Sequence, residues 1–451
     1  MRHAWKKGWI VMMVLIMVAL TACAGGGNNA ANTKKENTAS PAASAPAAKP
    51  AEEKVDKVTL KLLYIWPEFK TTMEKTIDLF EEKNPNIDVE LSVTPWDKVK
   101  AQLQTGIAGG DAPDISFMWP KDMSPFIASD AALDLTPYME ADPAWKDSFV
   151  DPAVLNGSTY DGRIYNAPFR GSTTYIAYNK DMFEENGWAE PTSLEELETL
   201  MVQMMDKNVT PFAIAGKPDG FQIEKINQYF VGYNLMESGV LEDPEYRKAR
   251  KTDIEGAYAK AFVKSKEWND KGYYGKSALG VAREQSQALF FQGTTAMIML
   301  NNNELTAMRK GVADKFEMKF MVFPAPAGSK DLFMPGGMDG YMVYKKTEHP
   351  DEAIVLMKYL NSKEAQDLWA TETLSVMTVK GVEYSDPDMA TFAKYINVAG
   401  KYNQFPDYNT GDVVTKNAQA FANYLQDDSY TPEKLEQLWN DNYKQQIESS
   451  K

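Results

Sequence analysis

Histidine and cysteine are almost absent from this chain. Its 451 residues contain two histidines, His3 and His349, and one cysteine, Cys23. A histidine-dependent catalytic triad, a multi-histidine zinc site and a histidine proton shuttle are therefore not expected. A lone cysteine cannot form a disulfide within the chain, and thiolate metal sites are equally unexpected. Carboxylates, Lys, Arg and aromatic side chains remain for chemistry, so we expect no metal and no cofactor.

The N-terminal segment has the pattern of an export signal. Arg2, Lys6 and Lys7 precede an apolar stretch at 8–20, and two small residues then lead to Cys23. The apolar stretch is short for a membrane span, which takes about 20 residues. A cysteine at this point resembles the lipobox of bacterial lipoproteins. That resemblance implies cleavage of the signal peptide, residues 1–22, and a diacylglycerol on the Cys23 thiol; the alternative is an uncleaved N-terminal anchor.

Positive charge is also scarce. The chain carries 48 Lys and Arg against 63 Asp and Glu. Such a chain repels nucleic acid and anionic lipid, so no nucleic-acid partner is expected, and attachment to the cell membrane has to come from the lipid. Residues 24–56 are a low-complexity mixture of Ala, Pro, Ser and Asn, typical of a flexible tether that spans roughly 30 Å. Lipobox and tether together favour an extracytoplasmic location on a Gram-positive cell surface.

The apolar residues that follow the tether predict an α/β fold. Strand-like runs at 58–66, 87–93 and 113–119 alternate with helical stripes at 69–80 and 96–107. This order favours parallel strands with helices on the faces of the sheet. No G-x-G-x-x-G motif or P-loop follows any of the runs, so nucleotide binding has no support.

The second half of the chain gives weaker patterns. Ser193 and Glu196 fit a capping box for a helix, and 294–300 and 320–324 predict buried strands. The glycine-rich segment 336–340 is predicted to be a loop that leads into a strand at 341–344.

Motifs along most of the chain resemble one protein family. They begin with the strand that ends in Trp66 and are continued by AGGDAPDISFMW at 108–119, NAPFRGSTTYIAYNKDMFEENGWAEPTSLEEL at 166–197, ALFFQGTTAMIMLNNN at 288–303 and PGGMDGYMVYKKTEHPDEAIVLMKYLNSKEAQDLW at 335–369. In this order and spacing they resemble the extracellular solute-binding proteins of ABC importers, in the carbohydrate-binding class to which maltose-binding protein belongs.

The resemblance implies two α/β lobes, each a mostly parallel sheet flanked by helices, with a hinge between them and the ligand in the interlobe cleft. Carried over, the first lobe takes residues 57–168 and 331–382, and the second takes 173–325 and 386–451. The three crossovers between the lobes then fall near 168–172, 324–329 and 381–386. Each contains proline or glycine, as is typical of hinge-like connections. The resemblance also implies a monomer that is not an enzyme and that delivers a sugar or oligosaccharide to the permease subunits of an ABC transporter.

Aromatic side chains are the first candidates for the sugar site, because a pyranose ring has apolar C–H faces. Trp66 and Trp119 end predicted strands where the family places ligand contacts and a stacking tryptophan. Trp96 opens a helical stripe and is assigned to the core. Phe221 matches a position where relatives place an aromatic, and Tyr408 is a further candidate; for all of these the alternative is a core role.

Polar candidates surround these aromatics. Glu68 follows Trp66 closely, with an ordinary first-turn helix charge as the alternative. Arg170 stands near the first crossover, where maltose-binding protein has a carboxylate; it either clamps an acidic sugar or forms a hinge salt bridge. The amides of Asn301, Asn302 and Asn303 are further candidates, with a polar turn and helix cap as the alternative. The last candidates are the backbone of Gly337 and the Asp339 carboxylate.

Two other functions stay open. A secreted lipoprotein glycosidase would need only paired carboxylates, although no pattern in the sequence pairs two of them. A solute-binding protein for a polyamine, a peptide or ferric iron would keep the same fold, since polyamines suit an acidic cleft and iron suits clustered tyrosines. The placement of the tryptophans favours a sugar.

Overall fold

The computed structural model describes residues 57–95, 98–217, 222–242, 256–275, 277–329, 331–402 and 412–449. Cys23, Trp96, Phe221 and Tyr408 lie outside these ranges, as do the predicted signal peptide and tether. Within the described ranges, no helix combines the length and the apolar character that crossing a bilayer requires.

The described strands are numbered along the chain. They are β1 (Val58–Tyr64), β2 (Ile87–Val93), β3 (Ile115–Met118), β4 (Thr159–Tyr160), β5 (Arg163–Ile164), β6 (Ala167–Asn179), β7 (Thr210–Ala213), β8 (Thr295–Asn301), β9 (Met318–Met321), β10 (Gly336–Val343) and β11 (Val376–Met377). Among them, β4 and β5 form a separate hairpin, and the other nine belong to one sheet.

The described α-helices are numbered in the same way. They are α1 (Lys70–Lys83), α2 (Val99–Gly109), α3 (Ser124–Ala128), α4 (Thr136–Ala141), α5 (Pro143–Ser148), α6 (Lys180–Asn186), α7 (Leu194–Asp206), α8 (Gln222–Ser238), α9 (Ala257–Asp270), α10 (Arg283–Phe291), α11 (Leu305–Val312), α12 (Pro350–Leu360), α13 (Lys363–Thr373), α14 (Pro387–Ala393), α15 (Ile396–Tyr402), α16 (Asp412–Gln426) and α17 (Pro432–Ser449). Short 3₁₀ turns, such as Pro67–Phe69 and Pro120–Asp122, connect several elements.

The strand order of the sheet is β2-β1-β3-β10-β6-β8-β7, and β9 and β11 also pair with β6. β1 runs parallel to both β2 and β3, as the alternation of strand and helix periods predicts. β10 runs antiparallel to β3 and to β6. In the second half, β7 and β8 are parallel, and β8 runs antiparallel to β6.

The long strand β6 joins two hydrophobic cores. Its first part, Ala167 to Thr173, pairs with β10, and its second part pairs with β8 and β9. Tyr175 packs in a core built mainly from residues before it and from 334–399, whereas Ile176 packs in a core that contains α7, α8 and α9. The chain therefore passes from one core to the other within a single strand. The lobe boundaries predicted from the resemblance stay a prediction.

The first half follows the predicted pattern closely. The helical stripe of Met73, Ile77 and Phe80 is buried on α1, and α2 ends at Gly110, which has a left-handed backbone with φ of 75°. In the second half, Ser193 caps α7 by accepting a hydrogen bond from the Glu196 amide at 3.2 Å.

Two predicted boundaries are wrong. The segment 336–340 is not a loop but the first part of β10. A Cβ at Gly336 would lie 2.3 Å from the Ser172 carbonyl oxygen, and one at Gly340 would lie 2.4 Å from the Ala167 carbonyl oxygen. Glycine is needed there because β6 comes so close, and not because the chain turns. The strand predicted at 320–324 begins and ends earlier, at Met318 and Met321, where β6 offers its partners.

Candidate functional site

Two tryptophans stand at the carboxyl ends of the neighbouring strands β1 and β3. Trp66 comes two residues after Tyr64, and Trp119 comes directly after Met118. Each is followed by a proline, which restricts the preceding residue to an extended backbone; ψ is 99° at Trp66 and 136° at Trp119. Extended backbone keeps side chains alternating between the two faces, so both indoles continue the face that carries Tyr64 and Phe117.

The rings form one aromatic cluster. The Trp66 and Trp119 ring centroids are 6.4 Å apart at an interplanar angle of 89°, and the Phe117 ring meets them edge-on, 4.5 Å from Trp66 and 5.1 Å from Trp119. Both tryptophans are half-buried, while Phe117 is fully buried. The arrangement leaves part of each indole open at the strand ends, where ligands of α/β sheets gather.

A buried ion pair lies behind this cluster. Arg170 Nε donates to Asp339 Oδ2 at 2.9 Å, and these residues are only 3% and 6% exposed. The Arg170 guanidinium carbon also lies 3.7 Å from the Trp66 ring centroid and 5.7 Å from that of Phe69. Arg170 therefore forms an ion pair within the protein, and its side chain is almost fully buried.

Asp339 belongs to the same cluster. Burial raises the pKa of its carboxyl above the ordinary value, while the positive charge of Arg170 and the hydrogen bond that Arg170 donates oppose that shift. Trp119 is its neighbour across the sheet, because Gly340 pairs with Met118 between the antiparallel strands β10 and β3. Asp339 therefore bonds to Arg170 and lies beside Trp119.

Two further predicted residues, Glu68 and Gly337, have open space around them. Glu68 is exposed in the 3₁₀ turn that follows Trp66. At Gly337 an added Cβ would meet no atom within 4 Å, so the space beside this backbone is open, as contact with a ligand requires.

A polar cluster lies at the end of β8, next to β6, the crossover strand that passes from one core to the other. Asn301 Oδ1 accepts hydrogen bonds from Thr174 Oγ1 at 3.1 Å and from Lys225 Nζ. Burial lowers the pKa of Lys225 to about 8, and the neighbouring Arg283 adds to this effect whereas Glu304 opposes it. Glu304 also accepts from the Asn301 amide at 2.8 Å.

The three consecutive asparagines have different environments. Asn301 is half-buried in the polar cluster, Asn302 is fully buried, and Asn303 is exposed. Sequence reasoning proposed all three amides for the site and missed Lys225. A capping pattern of Asn301 with Glu304 was visible in the sequence, but nothing in it indicates that α8 brings Lys225 to the same place.

The structure thus brings together Trp66, Trp119, Arg170 and Asp339 on one side, and it places Asn301 and Asn303 at the end of β8. Phe221 and Tyr408 lie outside the described residues. Within the described ranges, no group of three or more His, Cys, Asp and Glu residues has the geometry to hold a metal ion.

Comparisons with known proteins place this geometry in a family. The model of the bacterial extracellular solute-binding protein family matches residues 66–367. The multiple sugar-binding protein of Streptococcus mutans serotype c is 24% identical over 397 residues, which are 85% of this chain and 92% of that protein.

Solved structures of sugar receptors are similar in fold. The apo form of RafE from Streptococcus pneumoniae superposes with a TM-score of 0.72 at 21% identity, covering 86% of this chain and 98% of that one. The GacH receptor of Streptomyces glaucescens gives a TM-score of 0.66 at 19% identity, covering 87% and 99%. These neighbours are two-lobed α/β proteins, and this chain shares that fold. Because the family model matches well over half of its length, the chain belongs to the bacterial extracellular solute-binding protein family, whose members are binding proteins rather than enzymes and work outside the cytoplasm.

Proposed function

We propose that this protein captures a neutral sugar or oligosaccharide between its two lobes and delivers it to the permease of an ABC transporter. The observation that carries the proposal is the pair of half-buried tryptophans, Trp66 and Trp119, held at 89° to each other at the carboxyl ends of β1 and β3.

Two indoles at a right angle suit a carbohydrate. Covering about 100 Å² of apolar sugar surface is worth about 2.5 kcal/mol at 25 cal/mol per Å². Two such plates and several hydrogen bonds reach the range of a micromolar dissociation constant, about −8 kcal/mol. A ferric ion gains little from half-buried tryptophans, since it prefers carboxylate and phenolate oxygens. A polyamine would gain a cation–π contact from an indole, but the Arg170 guanidinium already lies 3.7 Å from the Trp66 ring centroid and would repel a second cation there.

The charge balance around Trp66 and Trp119 favours a neutral ligand. The Arg170 guanidinium lies against Trp66, and the Asp339 carboxylate 2.9 Å away already offsets its charge. An acidic sugar would have to compete with Asp339 for a guanidinium that is 3% exposed. Breaking a buried pair of this kind is costly, so uronic acids are expected to bind more weakly than neutral sugars.

Polar groups from both predicted lobes supply hydrogen bonds. Asn301 lies at the end of β8 beside Lys225 of α8, Asn303 is exposed, and the half-buried backbone of Gly337 has open space beside it. Amides and an ammonium group serve the hydroxyl rim of a pyranose. We assign ligand contact to these residues together with Trp66, Trp119 and Glu68. The predicted contacts Phe221 and Tyr408 are retained as part of this proposal.

Capture by hinge closure follows from this division of the site. Contacts made by both lobes favour the closed form, because only that form satisfies them together. The predicted lobe boundaries place the hinge at the crossovers. The proposal further includes a monomeric state, a diacylglycerol on Cys23 and the 24–56 tether, which would hold the receptor near its permease.

A thermal-shift panel tests the proposal. Galactose, raffinose, maltotriose, xylotriose and chitotriose are the neutral probes, and galacturonic acid and spermidine are the charged ones. A neutral saccharide should raise the melting temperature, since a ligand that binds only the folded form stabilises it. A shift with spermidine or galacturonic acid alone would overturn the choice of a neutral sugar. Release of reducing ends from a bound oligosaccharide would show an enzyme instead of a receptor.

The anchor has its own test. In a bacterial host, the wild-type protein should fractionate with membranes and take up labelled fatty acid, whereas Cys23→Ser should do neither. Membrane association of unlabelled Cys23→Ser would favour the uncleaved anchor.

A further inference from the structure

The neighbouring strands β10 and β6 carry a buried ion pair, and β10 lies beside β3, which leads to Trp119. Arg170 lies on β6 and Asp339 on β10, and the two residues are paired in register between these antiparallel strands. Both side chains are almost fully buried, yet Arg170 contacts the half-buried Trp66 indole, and Asp339 lies beside Trp119 because Gly340 pairs with Met118.

We propose that Arg170 and Asp339 are positioning residues that fix the orientation of Trp66 and Trp119 for ligand stacking. The role in ligand stacking rests on the proposed function; the fixing of the two indoles does not.

Arg170 controls Trp66. The guanidinium carbon lies 3.7 Å from the Trp66 ring centroid, so a planar cation covers part of the indole from within the protein. Phe117 meets the same indole edge-on at 4.5 Å, and Tyr64 does so at 5.6 Å. Arg170, Phe117 and Tyr64 thus cover part of the Trp66 ring. A sugar has to stack on the uncovered part, and the position of Arg170 sets which way that part faces.

Asp339 lies between Arg170 and Trp119. Its Oδ2 accepts from Arg170 Nε at 2.9 Å, and the next residue, Gly340, pairs with Met118, which directly precedes Trp119. One carboxylate thereby holds the guanidinium that lies on Trp66 and also stands beside the second indole. In this proposal the shared anchor sets the angle of 89° between the two indoles.

The backbone fixes the anchor. The register between β6 and β10 is irregular between Asp339 and Gly340, and the Gly340 position leaves no room for a Cβ beside the Asn166 side chain. Asn166 Nδ2 in turn donates to the Met118 carbonyl at 2.9 Å, directly before Trp119. A short chain of contacts therefore joins the carboxylate-bearing strand to the strand that carries the second indole.

This assignment differs from a direct ligand clamp in what each substitution should do. A clamp would contribute only when a ligand is present. A positioning pair holds the indoles in the empty protein, so removing it should change the environment of Trp66 and Trp119 before any sugar is added.

Fluorine NMR of the full-length protein labelled with fluorotryptophan tests this, with the Trp66 and Trp119 signals assigned through Trp66→Phe and Trp119→Phe. Arg170→Met should shift or broaden the Trp66 signal. Asp339→Leu should do the same to both signals. Asp339→Asn keeps a side chain of the same size beside Trp119 and removes the charge that pairs with Arg170, so it should alter Trp66 and leave Trp119 near its original position.

Arg309→Met is the matched control, because Arg309 is also an arginine in an ion pair, but its partners are Asp386 and Asp388. It should leave both signals unchanged. If Arg170→Met does not fold, Arg170→Lys keeps the charge and loses the planar stack, and the Trp66 signal should still move. Unchanged Trp66 and Trp119 signals in folded Arg170 and Asp339 variants would overturn the proposal, as would equal changes in Arg309→Met.

Affinity gives a second readout that separates the two proposals. For raffinose, or for another neutral saccharide that shifts the melting temperature, Arg170→Lys should weaken binding by about tenfold, the effect of a misplaced contact surface. If no saccharide binds the wild-type protein, the proposed function fails while the NMR result still decides the positioning role. If the signals move and the affinity for a bound saccharide does not, stacking on these indoles is overturned.

Discussion

Asn302 joins the end of β8 to the crossover strand through both ends of its amide. Its Oδ1 accepts from the Thr173 backbone N–H at 2.7 Å, and its Nδ2 donates to the Gly171 carbonyl oxygen at 3.2 Å. The side chain is fully buried, so it replaces water for two backbone groups at the place where the chain passes between cores.

Asn302→Ala should lower the free energy of unfolding by about 1–3 kcal/mol, because it leaves buried backbone groups without partners. Asn303→Ala is the matched control: Asn303 is exposed, and its loss should change stability by less than about 0.5 kcal/mol. Urea denaturation of the two variants measures both values. Equal stabilities would show that Asn302 does not hold the crossover strand.

Gly336 and Gly337 are adjacent in β10, but the same substitution should destabilise the protein at Gly336 and not at Gly337. Gly336→Ala places a Cβ 2.3 Å from the Ser172 carbonyl oxygen and should cost about 1–3 kcal/mol of stability. Gly337→Ala meets no atom within 4 Å and should leave the melting temperature unchanged. If Gly337 faces the ligand as proposed, its alanine variant should still bind the sugar more weakly, which calorimetric titration would detect.

Trp119→Ala should weaken sugar binding more than tenfold, about 1.4 kcal/mol, without unfolding the protein. The indole is half-buried at the end of β3, and its removal takes away one of the two apolar plates. Trp188→Phe is the control, because Trp188 packs against Phe183 in the other core. Parental affinity in Trp119→Ala, measured with the saccharide found by thermal shift, would place the stacking surface elsewhere.

Lys225 should make stability rise with pH in the alkaline range. Burial lowers its pKa from 10.5 to about 8 in the folded protein. Below that value both states hold the proton, and the folded state bears the full cost of burying the charge. Between about 8 and 10.5 the unfolded chain still binds a proton that the folded protein has released, so the free energy of unfolding increases with pH.

The comparison is wild type against Lys225→Met, with urea denaturation at about pH 7 and about pH 9.5. The stability of the wild type relative to the variant should be higher at the alkaline pH. A difference that stays constant would show that Lys225 titrates as an ordinary exposed lysine.

Local sequence rules predicted the elements whose neighbours in space are also neighbours along the chain. The stripe on α1 and the alternation in β2 have this character, and so does the Ser193 cap, because periodicity and a nearby hydroxyl decide them. The tryptophan–proline pairs that place the two plates are equally local. All of these features are independent of what lies far away in the sequence.

Features that depend on distant residues were misjudged or missed. The glycines of 336–340 have the composition of a loop, and only the closeness of β6 turns them into a strand. The hydrogen bonds of Asn302 and Lys225 were not predicted, because their partners, Thr173 and Asn301, lie on other elements. The sequence also left two roles open for Arg170, and its carboxylate partner is 169 residues away.

By itself the sequence determined the fold class, the strand-ending tryptophans and the excess of negative charge, since composition and short-range periodicity are properties of contiguous residues. Tertiary structure alone decided that the Arg170 guanidinium lies against an indole and an aspartate instead of standing open. A buried charge takes whichever partner folding brings within about 3 Å, because the cost of leaving it unpaired outweighs any local preference.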